Sequence, residues 1–158
     1  MIRIGFGTDI HRLVQGRPLI IGGIKIESDL GADGHSDADV LMHATADAVL
    51  GSLALGDLGQ HYPDDEERWR NAESSRFLKH AVQLIAEREY SVVNLDSVIH
   101  LERPKLRPHI DAMRQNLASA LGVDYKFVSV KAKTSESVDS VGERRSVRAE
   151  VTVLVEKK

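Results

Sequence analysis

Ile2-Arg3-Ile4-Gly5-Phe6-Gly7-Thr8-Asp9-Ile10-His11 alternates from end to end, and a period of two is the mark of a β-strand. Ile2, Ile4, Phe6, Thr8 and Ile10 share one face, while Arg3, Gly5, Gly7, Asp9 and His11 share the other. The isoleucines and Phe6 read as the core side, leaving Asp9 and His11 together on the opposite side. Working outward, Pro18 to Ile26, centred on Gly22-Gly23, reads as a short hairpin. Ser36 stands where it would cap a long helix from about Asp37 to Leu55, closed by Gly56. A loop runs from there through Pro63-Asp64-Asp65, and a second helix spans about Glu73 to Arg88 with Leu78, Ala81, Val82 and Ile85 on one face. Val92 to Leu101 is strand-like. Pro104 and Pro108 bracket a turn, and Pro108 suits the first turn of a third helix that buries Ile110, Met113 and Leu117 and stops at Gly122. Val128, Val130 and Ala132 alternate, and so do Val147, Ala149, Val151, Val153 and Val155. Strands interspersed with helices predict an α+β fold, a mixed β-sheet with helices on one face. Leu154 adds an apolar group to the other side of the last strand, which predicts cover on both faces.

A chain of 158 residues fits one domain, 1–158, with one core. Apolar residues at 42% and charged residues at 28% mark a globular chain rather than a disordered one. The formal net charge of -3 argues against a general nucleic-acid binder, so any phosphate site has to be local. With no cysteine, disulfides, thiolate metal sites and Cys nucleophiles are excluded together, and a metal must be held by His and carboxylate. No apolar run approaches membrane-spanning length and no targeting segment is visible, so a cytoplasmic protein is expected.

His43 joins Asp9 and His11 as a candidate ligand. On the predicted helix Asp39, His43 and Asp47 lie four apart, in a narrow polar stripe between Val40, Ala44 and Ala48 on one side and Met42, Ala46, Val49 and Leu53 on the other. Such a stripe suits a lined cavity better than a solvated face. Two His and one Asp are donors that zinc accepts, with a fourth position open. Asp39 or Asp47 is expected to hold the second imidazole N–H of a ligand His. The alternative is a locally bonded His11 and a satisfied core His43.

Other segments suit phosphate. His35-Ser36 precedes the long helix, where amides favour anions, although Ser36 could be only a cap. Gly56-Asp57-Leu58-Gly59 allows close backbone approach, or merely ends the helix. Lys131-Ala132-Lys133-Thr134-Ser135-Glu136 offers cations, hydroxyls and a carboxylate for a hard cation, or is an exposed polar turn. Glu102 to Pro108 is stiffened by two prolines, so its backbone could read a flat base edge or simply connect two elements.

Gly7-Thr8-Asp9-Ile10-His11, His35-Ser36-Asp37-Ala38-Asp39-Val40 with His43, and Ala54-Leu55-Gly56-Asp57-Leu58-Gly59 resemble the 2-C-methyl-D-erythritol 2,4-cyclodiphosphate synthase family. So do Tyr62-Pro63-Asp64, Arg103-Pro104-Lys105 and Lys131 to Glu136, in the same order and over nearly the whole chain. The resemblance implies a homotrimer with the sheets facing the threefold axis and active sites between subunits. It implies a substrate, 4-diphosphocytidyl-2-C-methyl-D-erythritol 2-phosphate, whose 2-phosphate attacks its own β-phosphate and expels CMP, in the non-mevalonate route to isoprenoids. By position, Asp9, His11 and His43 become zinc ligands, one zinc per subunit, and Glu136 takes Mg²⁺ or Mn²⁺. His35 and Thr134 stabilise the transition state. Asp9, His11, His35, Ser36, Asp57, Leu58 and Gly59, with Tyr62, Pro63, Asp64, Asp65 and Glu66, hold the erythritol phosphate part. Leu101, Glu102, Arg103, Pro104, Lys105, Leu106 and Arg107, with Lys133, Thr134, Ser135 and Glu136, hold the cytidine diphosphate from the adjacent subunit. No protein nucleophile is needed, in keeping with the missing cysteine.

One stretch departs from the family pattern. In Val138-Asp139-Ser140-Val141-Gly142-Glu143-Arg144-Arg145-Ser146, Ser140 stands at a usual aromatic position and Glu143 at a usual Arg position. The family's contacts to nucleotide phosphate and to isoprenoid diphosphates in the threefold cavity are therefore not carried over. Read without the resemblance, the residues also fit a zinc hydrolase of phosphoesters with Asp57 or Asp64 as base, or a non-catalytic module that binds metal or nucleotide.

Overall fold

Strand β1 (Ile2–Val14) and helix α1 (Val40–Ser52) lie directly against each other because Gly5 and Gly7 put no side chain between them. A Cβ on Gly5 would stand 1.8 Å from the Ala48 carbonyl oxygen, and one on Gly7 would stand 2.1 Å from that of Ala44. The helix contributes alanines at the same contacts, so strand and helix approach backbone to backbone. The structure is a computed structural model that describes residues 1–63, 67–69 and 72–158.

Around this pair the chain runs β2 (Leu19–Ile21), β3 (Ile24–Ile26) and β4 (Gly31–Ala32) before α1, then α2 (Leu58–His61) and α3 (Ser74–Ala86). It continues through β5 (Tyr90–His100), α4 (Ile110–Leu121), β6 (Val128–Lys133), the single turn α5 (Asp139–Gly142) and β7 (Ser146–Lys157). The main sheet has the order β4-β1-β7-β5-β6. Only β5 and β6 run parallel, joined through α4, and the other pairs are antiparallel. This is the expected mixed sheet. β2 and β3 form the hairpin read from Pro18 to Ile26.

The helices cover one face. α1 packs on β1 and β7 and is itself covered by α3, so it is buried nearly all round. Val147, Ala149, Val151, Val153 and Val155 of β7 are buried, as are Leu95 and Ile99 of β5. Here one expectation is corrected. The face of β1 that meets the core is the one carrying Gly5 and Gly7, whereas Ile2 (65%), Ile4 (71%), Phe6 (64%) and Ile10 (55%) remain exposed. Side-chain polarity favours the opposite assignment. Backbone approach decides it, because a helix can lie this close only on the glycine side.

The start of α1 is also corrected. Ser36 does not cap it; its hydroxyl accepts from the Ala38 N–H at 3.2 Å. Ala38 has φ 55, which no helix continues, and Asp39 is the cap, its carboxylate accepting from the Leu41 and Met42 amides. The same carboxylate accepts from Gly22 at 2.9 Å and Gly23 at 2.6 Å, tying the hairpin turn to the helix start. Asp39 thus serves the helix start and the hairpin turn with one carboxylate.

Candidate active site

Asp9 and His11 follow Gly5 and Gly7 on the same face of β1, so they run past the N-terminal half of α1 where His43 projects. The helix lying along the glycines thus sets the spacing of the three side chains. Asp9 Oδ2 is 2.9 Å from His11 Nε2 and 3.1 Å from His43 Nδ1, and the two ring nitrogens are 3.3 Å apart. Asp9, His11 and His43 are the group able to hold a metal among the described residues.

The partners of the imidazoles fix their tautomers. His11 Nδ1 faces the Asp33 carbonyl at 2.9 Å; a carbonyl only accepts, so the proton is on Nδ1 and the Nε2 lone pair is free. His43 Nε2 lies 2.7 Å from Ser74 Oγ, and that hydroxyl donates to Asp37 Oδ1. Ser74 must therefore accept from His43, which leaves Nδ1 bare. Two bare nitrogens and a carboxylate oxygen then meet within 3.3 Å, an arrangement of three acceptors that needs a cation between them. Metal–ligand bonds of about 2.0–2.1 Å give tetrahedral edges of roughly 3.3–3.4 Å; the edge between the two imidazoles matches at 3.3 Å, and the two carboxylate edges are shorter at 2.9 and 3.1 Å. The donor set therefore fits zinc.

Without a metal, a proton is the alternative occupant. Burial disfavours the charge on Asp9, yet hydrogen bonds and attraction from His11 and His43 outweigh it and hold the carboxyl far below its ordinary range. Burial likewise disfavours protonated His43, but Asp9, with Asp39 and Asp37 behind it, pushes its pKa above the ordinary value.

Two of the three, His11 and His43, line a cleft of about 330 Å³. His35, Ser36, Leu58, Gly59 and Tyr62, all expected at the erythritol phosphate end, line it with His11 and His43. Asp57 is not in that lining; its carboxylate caps α2 by accepting from the Gln60 N–H. Asp47 accepts from the Leu58 N–H at 2.7 Å and so holds the loop in place. Neither Asp39 nor Asp47 holds His43 as expected: Asp39 is committed to four amides and Asp47 to Leu58. Pro63 is half-buried beside Tyr62. Asp64, Asp65 and Glu66 lie outside the described residues.

A second cleft, of about 570 Å³, opens at the other edge of the sheet. Leu101, Pro104, Lys105, Leu106 and Arg107 line one side, with Lys133 and Thr134 opposite. Glu102 does not face it; its carboxylate accepts from the Ser135 N–H at 3.1 Å and joins the two loops. Arg103 lies in a neighbouring groove. Exposed Glu136 accepts from the Thr134 hydroxyl at 2.9 Å, and its φ of 50 turns the chain sharply there. The two clefts share no lining residue. The structure thus gathers the predicted residues into two groups, a metal group and a cationic group.

Sequence reasoning missed Ser74 and Asp37 behind His43, and Phe77 and Trp69 beside Tyr62. The Phe77 ring lies tilted against Tyr62 at 4.4 Å and Trp69 meets Tyr62 edge-on at 4.9 Å, forming an apolar wall of the metal cleft. Phe77 was visible as the apolar residue one place before Leu78 on the second helix, but nothing in its spacing pointed to a metal.

Residues 2–156 match the model of the YgbB family. A 2-C-methyl-D-erythritol 2,4-cyclodiphosphate synthase from Salinibacter ruber is 50% identical, over 98% of this chain and 99% of its own length. A chloroplastic synthase of the same name from Arabidopsis thaliana is 51% identical, over 99% of this chain and 68% of its own. Among solved structures, a 2C-methyl-D-erythritol-2,4-cyclodiphosphate synthase in a CDP-bound form superposes with a TM-score of 0.90 at 39% identity, over 98% of this chain and 100% of the other. The bifunctional IspDF from Campylobacter jejuni gives 0.96 at 34% identity; all of this chain matches 43% of that longer protein.

Proposed function

The chain belongs to the YgbB family, and on that premise we propose that it converts 4-diphosphocytidyl-2-C-methyl-D-erythritol 2-phosphate into 2-C-methyl-D-erythritol 2,4-cyclodiphosphate and CMP. The reaction class is that of a phosphorus–oxygen lyase in the non-mevalonate isoprenoid pathway. The observation that carries the reading is that His11 and His43 of the Asp9–His11–His43 triad line one cleft with His35, Ser36, Leu58 and Gly59. A cation seat beside imidazole, hydroxyl and amide donors suits a phosphate group that must be both neutralised and aimed.

An oxygen of the 2-phosphate forms a bond to the β-phosphorus. The bond from that phosphorus to the α–β bridging oxygen breaks, and its electron pair leaves on CMP. Zinc on Asp9, His11 and His43, and Mg²⁺ or Mn²⁺ on Glu136, would neutralise phosphate charge in this exchange. The protein's own part is positional. His35, Ser36, Leu58 and the Gly59 amide hold the 2-phosphate end, the Leu58 amide itself being taken by Asp47. Lys105, Arg107 and Lys133 balance the charge of the nucleotide end, while Thr134 places a hydroxyl near the bond that breaks. Bringing both phosphates of one molecule into attack geometry is itself worth several kcal/mol of barrier.

A homotrimer with shared sites completes this reading. Ile2, Ile4, Phe6 and Ile10 form an apolar surface on the uncovered sheet face, with Leu154 paired opposite Ile4; such a patch calls for a partner. β7 and β5 separate β1 from β6, so the metal and nucleotide clefts sit three strand spacings apart, roughly 14 Å. A neighbour's nucleotide cleft placed against this chain's metal cleft would join the two halves, with the sheets facing the threefold axis. No helix of the described residues is long and apolar enough to cross a membrane, and we place the protein in the cytoplasm. The test is direct. The purified protein, incubated with the diphosphocytidyl substrate and Mg²⁺, should release CMP and cyclic diphosphate mole for mole. Absence of CMP would overturn the assignment.

A further inference from the structure

Ser74 opens α3, is 0% exposed, and belongs to neither cleft lining. We propose that Ser74 and Asp37 are a positioning pair for the metal ligand His43, fixing its tautomer and ring orientation from behind; this rests on the metal reading above. Ser74 Oγ accepts from His43 Nε2 at 2.7 Å and donates to Asp37 Oδ1, while the Ser74 N–H donates to Asp37 Oδ2 at 3.0 Å. Asp37 thus holds Ser74 by both its hydroxyl and its amide, leaving the hydroxyl lone pair one direction in which to point. The Asp37 N–H donates in return to the Ala72 carbonyl at 3.1 Å, so the segment before α1 and the start of α3 are tied by three hydrogen bonds.

The arrangement also explains how α3 begins. Its N-cap residue, Glu73, makes no side-chain capping bond, and Asp37 supplies the missing acceptor from another segment. A carboxylate that caps α3 and orients Ser74 couples the seating of this helix to the aim of His43. Ser36 Oγ also lies near His43 Nε2, at 3.2 Å, but it already accepts from the Ala38 N–H and lines the cleft, where substrate would compete for it. Ser74 is the closer acceptor and is shielded from solvent. Partners behind a metal-bound imidazole typically govern affinity by one to two orders of magnitude.

The experiment measures zinc affinity of the full-length protein by competition with a chromogenic chelator, beside the visible absorption of the Co²⁺-loaded form. Ser74→Ala should weaken zinc about 10–100-fold with the stoichiometry still one per chain, and should alter the Co²⁺ bands. Ser74→Thr, which keeps the hydroxyl, should recover most of the affinity. Asp37→Ala should weaken zinc as well, and the double variant should lose no more than the weaker-binding single variant, because Asp37 acts through Ser74. If Ser74→Ala does not fold, Asp37→Asn carries the same comparison at a half-buried position. Wild-type affinity with unchanged Co²⁺ bands in Ser74→Ala would overturn the proposal, as would additive losses in the double variant. A wild-type protein that binds no zinc would overturn the metal reading itself, and this is seen before any variant is compared.

Discussion

Replacing Gly7 by Ala tests whether the glycine face of β1 builds the metal site. The added Cβ would stand 2.1 Å from the Ala44 carbonyl oxygen and 2.6 Å from the Ala48 nitrogen, against 3.4 Å for ordinary contact. Relief requires about 3.4 − 2.1 = 1.3 Å of separation between β1 and α1. Both offending atoms are backbone, so no rotamer change helps. Overpacking of this kind costs about 1–3 kcal/mol, and a backbone obstacle puts the expected loss at the upper end. The same separation moves His43, adjacent to Ala44, away from Asp9 and His11. Metal distances tolerate only about 0.2 Å, so zinc affinity should fall at least tenfold alongside stability. Denaturant unfolding of the metal-free protein gives the first quantity and chelator competition the second. Wild-type unfolding and wild-type zinc affinity in Gly7→Ala would refute the packing argument.

Other outcomes follow from the site. His43→Ala should remove most bound zinc by elemental analysis while the protein still folds, because Asp9 and His11 leave coordination half empty. Glu136→Gln should keep its zinc but lose turnover by orders of magnitude, with added Mg²⁺ restoring only part; normal turnover with unaltered Mg²⁺ dependence would remove Glu136 from the second metal site. In metal-free protein, Asp9, with its depressed pKa, contributes stability above about pH 3.9 that is lost as pH falls through its lower folded value. His43, with its raised pKa, contributes below about pH 6.5 and loses this as pH rises through its higher folded value. Zinc must displace that proton, so the gain in melting temperature on adding zinc should grow from pH 5 to pH 8; a flat difference would contradict the shared-ligand geometry. Light scattering at micromolar concentration should give a trimer mass, and mixing His43→Ala with Glu136→Gln chains after unfolding and refolding together should restore activity. A monomer mass or no restoration would rule out shared sites.

Much of this was legible in the chain, and the failures have a common cause. The alternation from Ile2 to His11 announces a strand and places Asp9 with His11, since side-chain period is a local property. Which face is packed is not local: the four exposed apolar residues Ile2, Ile4, Phe6 and Ile10 look like core until the helix lying on Gly5 and Gly7 is seen. A glycine every second residue leading into Asp-x-His was the available signal of close approach. The helix start illustrates the same limit. Ser36 reads as the cap, but the positive φ of Ala38 bars a helix there, and Asp39, which also accepts from Gly22 and Gly23 far away in sequence, takes the role. Ser74 stood in an ordinary Glu-Ser-Ser helix opening, so no spacing linked it to His43. The two clefts were legible as residue groups, whereas their separation across the sheet depends on strand order.

Isotope tracing tests the central claim most directly. With the diphosphocytidyl substrate and Mg²⁺ in ¹⁸O-enriched water, the account predicts CMP and a cyclic diphosphate that both carry no solvent oxygen, because the substrate's own phosphate is the nucleophile. Solvent ¹⁸O in either phosphate product, with an open-chain phosphate in place of the ring, would show hydrolysis and contradict it.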